Sequence, residues 1–97
     1  MTASLGPGFR AGHWTDEGAR TGCTVVLPPP GNVTSVDIRG SSPSSREIEH
    51  LHPDRKLTEV HAVVLTGGSA FGLACAQGVV DWLAERGIGY ETPVTPV

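Results

Sequence analysis

Val60-His61-Ala62-Val63-Val64-Leu65-Thr66-Gly67-Gly68-Ser69-Ala70-Phe71-Gly72-Leu73 decides how the chain reads, because an apolar run, a double-glycine bend and a second apolar run follow one another directly. Val60 to Leu65 is nearly continuous in apolar residues, the pattern of a strand covered on both faces. Ser69 is placed to N-cap a helix running to about Arg86, with Arg86 near its negative end and Gly87 available as the left-handed cap.

The expected helix has almost no polar face in its first three turns, where Phe71, Leu73, Ala74, Cys75, Ala76, Val79 and Val80 precede the first charge at Asp81. A helix of that kind has to be buried on several sides. Gly72 and Gly78 each cost roughly 1 kcal/mol of helix propensity relative to alanine, so close approach by a neighbouring element is their expected use. Ala62 to Val80 carries no charge and nearly reaches the length of a membrane span, but the bend at Thr66 to Ser69 divides it into a strand and a separate helix.

Upstream, Phe9 to His13 and Gly22 to Leu27 read as strands that can pair as a hairpin; the second contains the β-rich Cys23-Thr24-Val25-Val26-Leu27. Pro28-Pro29-Pro30-Gly31-Asn32 is a stiff loop, since three successive residues lack a ladder donor. Val33, Ser35, Asp37 and Arg39 alternate with Thr34, Val36 and Ile38, predicting a strand with one wet face. A helical turn is expected from Pro53 through Lys56, and a further strand from Ile88 to Tyr90. Thr92 to Val97 stops in mid-pattern, as though cut.

The whole is 97 residues long, 38% hydrophobic and 18% charged, with 13 glycines and 8 prolines, which fits one globular α/β unit and no second core. A formal charge of -3 without any Lys/Arg cluster leaves no footprint for nucleic acid. Met1 to Arg10 has no charged-then-apolar leader pattern, so the cytoplasm is the expected compartment and no membrane partner is expected. Cys23 and Cys75, without C-x-x-C spacing, read as two reduced core thiols.

The glycine-rich turn offers free N–H groups to an anion or a developing oxyanion. It lacks the Gly-Lys-Ser/Thr of a phosphate loop, and Ser69 stands where a dinucleotide fingerprint needs glycine in Gly67-x-Ser69-x-x-Gly72. Glu91 follows Gly67 by 24 residues, near the position of a ribose-binding acid, so a nucleotide-binding βαβ module stays open as an alternative. Phe71 occupies the last glycine position of a nucleophile elbow, which favours Ser69 as a cap over a nucleophile. His50, His52 and Asp54 lack the second ligand pair of a zinc site, and Arg46-Glu47 is either a surface ion pair or a pocket lining. No metal or other cofactor is expected.

Gly12-His13-Trp14-Thr15-Asp16, Gly22 to Pro28, Val36-Asp37-Ile38-Arg39-Gly40, Ser45-Arg46-Glu47, Ala62 to Leu73 and Gly78-Val79-Val80-Asp81-Trp82-Leu83 together resemble, in order, the N-terminal part of the DmpA-type L-aminopeptidase/D-esterase family. The likeness spans about residue 9 to residue 90; its departures are Pro30, Asn32 and Ser41-Ser42, which bear on loop shape. It implies that residues 1–97 form the N-terminal portion of a single larger domain with the four-layer αββα fold, shared with the acetyl-transfer enzymes of arginine synthesis. An acyltransferase of the same architecture is therefore a second alternative.

The resemblance further implies a chain that cleaves itself and frees a Ser or Thr as N-terminal nucleophile, in an enzyme removing N-terminal residues from short peptides, amides or esters. That junction lies downstream of the glycine-rich block in the family, so no catalytic residue is assigned here and the segment alone is expected to be inactive. The expected partners are the downstream remainder of the same polypeptide, a short peptide or amide substrate, and further copies in a homo-oligomer. Gly67, Gly68 and Ser69 are the candidates for bordering a substrate cleft; Phe71 and Trp82 read as packing residues.

Overall fold

The computed structural model describes residues 4–97; the first three positions of the Met1 to Arg10 stretch lie outside the described residues. Three strands, β1 (Arg10–Asp16), β2 (Thr21–Leu27) and β3 (Val63–Thr66), form an antiparallel sheet in the order β1-β2-β3. Two helical pieces follow, α1 (Ser69–Gly72) and α2 (Cys75–Glu85). The chain is thus α/β.

The hairpin expected upstream is present, and β1 runs three residues further than the sequence pattern indicates. Its turn is closed by the Asp16 carboxylate, which accepts the Ala19 N–H at 2.9 Å, while Arg20 takes the left-handed conformation at φ 56°. Register follows from that turn: Trp14 lies opposite Cys23, Gly12 opposite Val25 and His13 opposite Thr24. In the last pair the His13 Nδ1 and Thr24 Oγ1 atoms are hydrogen-bonded at 2.8 Å.

β3 pairs with β2 through Cys23↔Thr66 and Val25↔Val64, so Cys23, Val25, Val64 and Thr66 share one face. That face looks toward α2. Thr24, Val26, Val63 and Leu65 lie on the other, where Leu65 is 61% exposed. The strand expected over Val60 to Leu65 forms only from Val63, runs on to Thr66, and is covered on one face where two were expected.

Val33 to Arg39 does not become a strand. The alternation foreseen there survives in burial, since Asn32, Thr34 and Val36 are half-buried and Val33, Ser35 and Asp37 exposed. What the segment lacks is a neighbour: among the backbone hydrogen bonds of the described residues outside regular elements, its link is Thr34 N–H to the Thr58 carbonyl at 2.6 Å. A strand is defined by its ladder, and alternation supplies only the faces. Asn32 fastens the segment instead, donating to the carbonyls of Pro29 (2.9 Å) and Val60 (2.8 Å) and accepting the Val60 N–H at 3.1 Å.

The turn expected from Pro53 forms over Pro53-Asp54, closed by the Arg55 N–H on the His52 carbonyl at 2.8 Å, though it does not extend as a helix through Lys56; a 3-10 turn at Glu49–Leu51 precedes it. Ile88 to Tyr90 is likewise no strand; Tyr90 and Val97 exchange both backbone hydrogen bonds and close a short terminal loop. The βαβ unit that nucleotide binding requires is accordingly not formed by the described residues.

The single helix foreseen from Ser69 is interrupted at Leu73-Ala74. Its far end behaves as expected. Gly87 is left-handed at φ 65°, its N–H bonds to the Ala84 carbonyl, and the Ile88 N–H bonds to the Leu83 carbonyl, each at 3.0 Å, which is a complete Schellman closure. Arg86 donates to the Trp82 carbonyl at 3.0 Å and stacks over the Trp82 ring at 3.7 Å.

No described residue is fully buried, and the Cα radius of gyration is 14.4 Å against about 12.5 Å for a compact domain of this length. Sheet and helix form a half-layer whose apolar surface has no counterpart within the described chain. No described helix is long and apolar enough to cross a membrane.

Candidate functional site

The double-glycine bend sits at the C-terminal end of β3 and is held from both sides. The Gly67 N–H extends the sheet by donating to the Gly22 carbonyl at 2.9 Å, and the Gly72 N–H returns to the Gly68 carbonyl at 3.0 Å. Thr66 Oγ1 donates toward the carbonyls of Gly67 at 3.1 Å and Gly72 at 3.4 Å. A β-carbon at Gly72 would collide with the Gly67 carbonyl, and one at Gly67 with the Thr21 hydroxyl. Glycine is needed at Gly72 because backbone passes where a side chain would be, whereas at Gly67 the obstacle is the Thr21 side chain.

Ser69 does not cap the helix as expected. Gly68 takes the N-cap position at φ 89°, Ser69 itself is left-handed at φ 57°, and no side-chain cap hydrogen bond forms. The left-handed bend begun at Gly68 continues into Ser69, which is not the extended backbone from which an N-cap hydroxyl reaches the N–H groups it would satisfy. Gly67, Gly68, Ser69 and Ala70 are all exposed. Phe71, read as packing, is 93% exposed and packs on nothing in the described chain.

Three hollows flank the sheet. One of about 400 Å³ lies between α2 and the sheet, bounded by Gly12, Val25, Leu27, Gly78, Val79 and Trp82. A second of about 410 Å³ lies between the proline loop and the end of α2, bounded by Pro29, Pro30, His61, Leu83 and Ile88. A shallower one of about 700 Å³ runs along β1 past His13, Trp14, Asp16 and Arg20. Gly67, Gly68 and Ser69 line none of these three. Trp82 packs against the first two.

Gly78 also departs from expectation, since a β-carbon there would meet nothing within 4 Å. Close approach explains Gly72 and leaves Gly78 facing open space. Arg46 does not pair with Glu47; its guanidinium donates to Gln77 Oε1 at 3.0 Å, and Gln77 Nε2 donates to Asp81 Oδ1 at 2.9 Å, tying the long loop to α2. Glu47 is left-handed at φ 60° and stands 4.0 Å from His50. His52 Nδ1 lies 2.7 Å from Asp54 Oδ1, and that hydrogen bond holds the Asp54 carboxyl below its ordinary range.

Sequence reasoning missed the Arg46–Gln77–Asp81 chain and one further meeting. Cys23 and Cys75, read as separate core thiols, are half-buried free thiols with their sulfurs 3.7 Å apart. The signal available was the facing of β2, which sends Cys23 and Val25 toward the helix side. Burial pushes the Cys23 thiol above its ordinary range, the hydrogen bond with Cys75 acts in the same direction, and Thr66 opposes.

The sequence is similar to those of known proteins. The chain is 44% identical over 100 residues to an uncharacterized aminopeptidase of Mycobacterium tuberculosis, covering 93% of this chain and 29% of that protein. It is 46% identical over 99 residues to an uncharacterized aminopeptidase of Mycobacterium leprae, covering 97% and 25%. A 6-aminohexanoate-oligomer endohydrolase of Paenarthrobacter ureafaciens is 35% identical over 80 residues, covering 82% and 20%. The chain thus spans between a fifth and three-tenths of the length of these relatives. The model for peptidase family S58 matches residues 7–97, which include the whole of the sheet, bend and helix just described, and on that match the chain belongs to peptidase family S58.

Proposed function

We propose that residues 1–97 are the N-terminal portion of one larger domain, a self-processing aminopeptidase that hydrolyses N-terminal residues from short peptides, amides or esters. The observation that carries this reading is the family match over residues 7–97, joined to relatives whose names are aminopeptidase and oligomer endohydrolase. The sheet face on which Val63 and Leu65 are exposed supports a further layer contributed by the same polypeptide, as a four-layer αββα fold requires. The nucleophile is a Ser or Thr freed by cleavage downstream, and the protein works in the cytoplasm as a homo-oligomer.

The chemistry follows from the new chain end. A free α-amino group has a pKa of about 7.7 to 8.0, so near neutral pH it accepts the hydroxyl proton of its own residue as that oxygen attacks a carbonyl. No separate histidine is needed, and no cofactor takes part. Gly67, Gly68 and Ser69 border the cleft in this reading; their exposure at a strand end supports that placement.

Expression of the complete reading frame tests it. Two bands on a denaturing gel are expected, with a Ser or Thr at the new N-terminus after a Gly-Ser, Gly-Thr or Asn-Thr junction, and release of the N-terminal residue from short peptide amides. Alanine at that nucleophile should leave one band and no turnover. A single uncut band that hydrolyses peptides through another residue would refute the mechanism, and transfer of an acetyl group to an amino acid would favour the acyltransferase reading.

A further inference from the structure

We infer that Cys23 and Cys75 are a modification site, joining in an intramolecular disulfide when the protein meets a small-molecule disulfide, so that the first residue of α2 becomes tied to the central strand of the sheet. The inference stands on geometry independent of the proposed activity. Cys23 lies on β2 between Trp14 of β1 and Thr66 of β3, on the face toward the helix, and Cys75 opens α2. Their sulfurs are 3.7 Å apart although 52 positions separate them in sequence. A disulfide needs about 2.05 Å, so a closing of roughly 1.7 Å remains, within the scale of side-chain rotation.

Neither cysteine is fully buried in the described chain, and Cys75, which takes the first step, borders the hollow between α2 and the sheet. With oxidised glutathione as oxidant, the Cys75 thiolate attacks one glutathione sulfur, forming a mixed disulfide and releasing one glutathione thiolate. The Cys23 thiol then loses its proton and attacks the Cys75 sulfur, releasing the second glutathione. Two protein thiols are oxidised and one glutathione disulfide is reduced to two glutathione molecules. Cys23 is assigned the second step because burial disfavours its thiolate. The link encloses the glycine bend, fixing the start of α2 against β2 while it lasts.

The test uses the complete polypeptide, incubated with oxidised glutathione, blocked with N-ethylmaleimide, digested and mapped by mass spectrometry. A peptide pair joined through Cys23 and Cys75 is expected, formed at a rate independent of protein concentration and lost on adding dithiothreitol. Glutathione remaining on either cysteine at the end of the reaction, without the joined pair, would overturn the inference. So would a joined pair whose rate rises with protein concentration, since that link would run between chains.

Discussion

The two faces of the three-stranded sheet differ in what covers them, and the difference separates what this segment organises by itself from what it leaves to other structure. Toward α2, Cys23, Val25, Val64 and Thr66 are half-buried, and Cys23 meets a side chain of the helix. On the opposite face Leu65 and Val63 are 61% and 38% exposed, and the hydrogen bond between His13 and Thr24 is open to solvent. The same strands make both faces, so the contrast is not one of propensity. It lies in connectivity: the bend after β3 returns the chain over one face, and no described residue returns over the other. At about 25 cal/mol per Å² of apolar surface removed from water, an uncovered sheet face is a large stabilisation still to be realised.

The bend itself is where the contrast is easiest to break. Gly72→Val places a side chain against the Gly67 carbonyl, at a point where the backbone on either side is fixed by hydrogen bonds to Gly22 and Gly68. A loss of about 3 kcal/mol or more is expected, read as a lowered denaturation midpoint or as failure of the full polypeptide to accumulate in soluble form. Unchanged stability would mean that α1 and α2 are not held over the sheet by this bend, and the covered face would lose its explanation.

Leu65→Asp addresses the other face. In the full polypeptide, with a second layer over the sheet as proposed, an aspartate there is buried without a partner and should cost about 2 to 4 kcal/mol in denaturant unfolding. A change within about 0.5 kcal/mol, typical of a surface position, would mean the face stays wet and would remove the main structural support for the four-layer reading.

The sequence was most legible where local chemistry decides the outcome. The hairpin, β3, the bend and the Schellman closure at Gly87 all follow from residue types acting on their immediate neighbours. It was least legible where the outcome depends on a distant partner. Val33 to Arg39 keeps the alternation of a strand without a ladder to join, and β3 keeps the composition of a doubly covered strand with one cover. Ser69 failed for a third reason, since the left-handed conformation required at Gly68 spread to it and removed the cap geometry its residue type favours. At the candidate site the sequence identified Gly67, Gly68 and Ser69 as a strand-to-helix bend. The approach of Cys23 to Cys75 and the chain from Arg46 through Gln77 to Asp81 escaped, because each joins segments whose separation carries no periodic signal.

Gly78→Ala gives the smallest expected effect and the most informative sign. Within the described chain a β-carbon at Gly78 meets nothing within 4 Å, beside the hollow between α2 and the sheet. Left open, that position gains helix propensity from alanine, and the full polypeptide should be stabilised by about 0.5 to 1 kcal/mol. Should another layer seat its backbone against α2 there, the added methyl has no space and the same substitution should destabilise by about 1 to 3 kcal/mol. Gly72 ends α1 and Gly78 lies within α2, and the first is explained by contact with Gly67. Equilibrium unfolding of the alanine variant therefore decides whether the second glycine serves a contact made elsewhere in the polypeptide, which would place another element at the hollow between α2 and the sheet as well as on the bare side of the sheet.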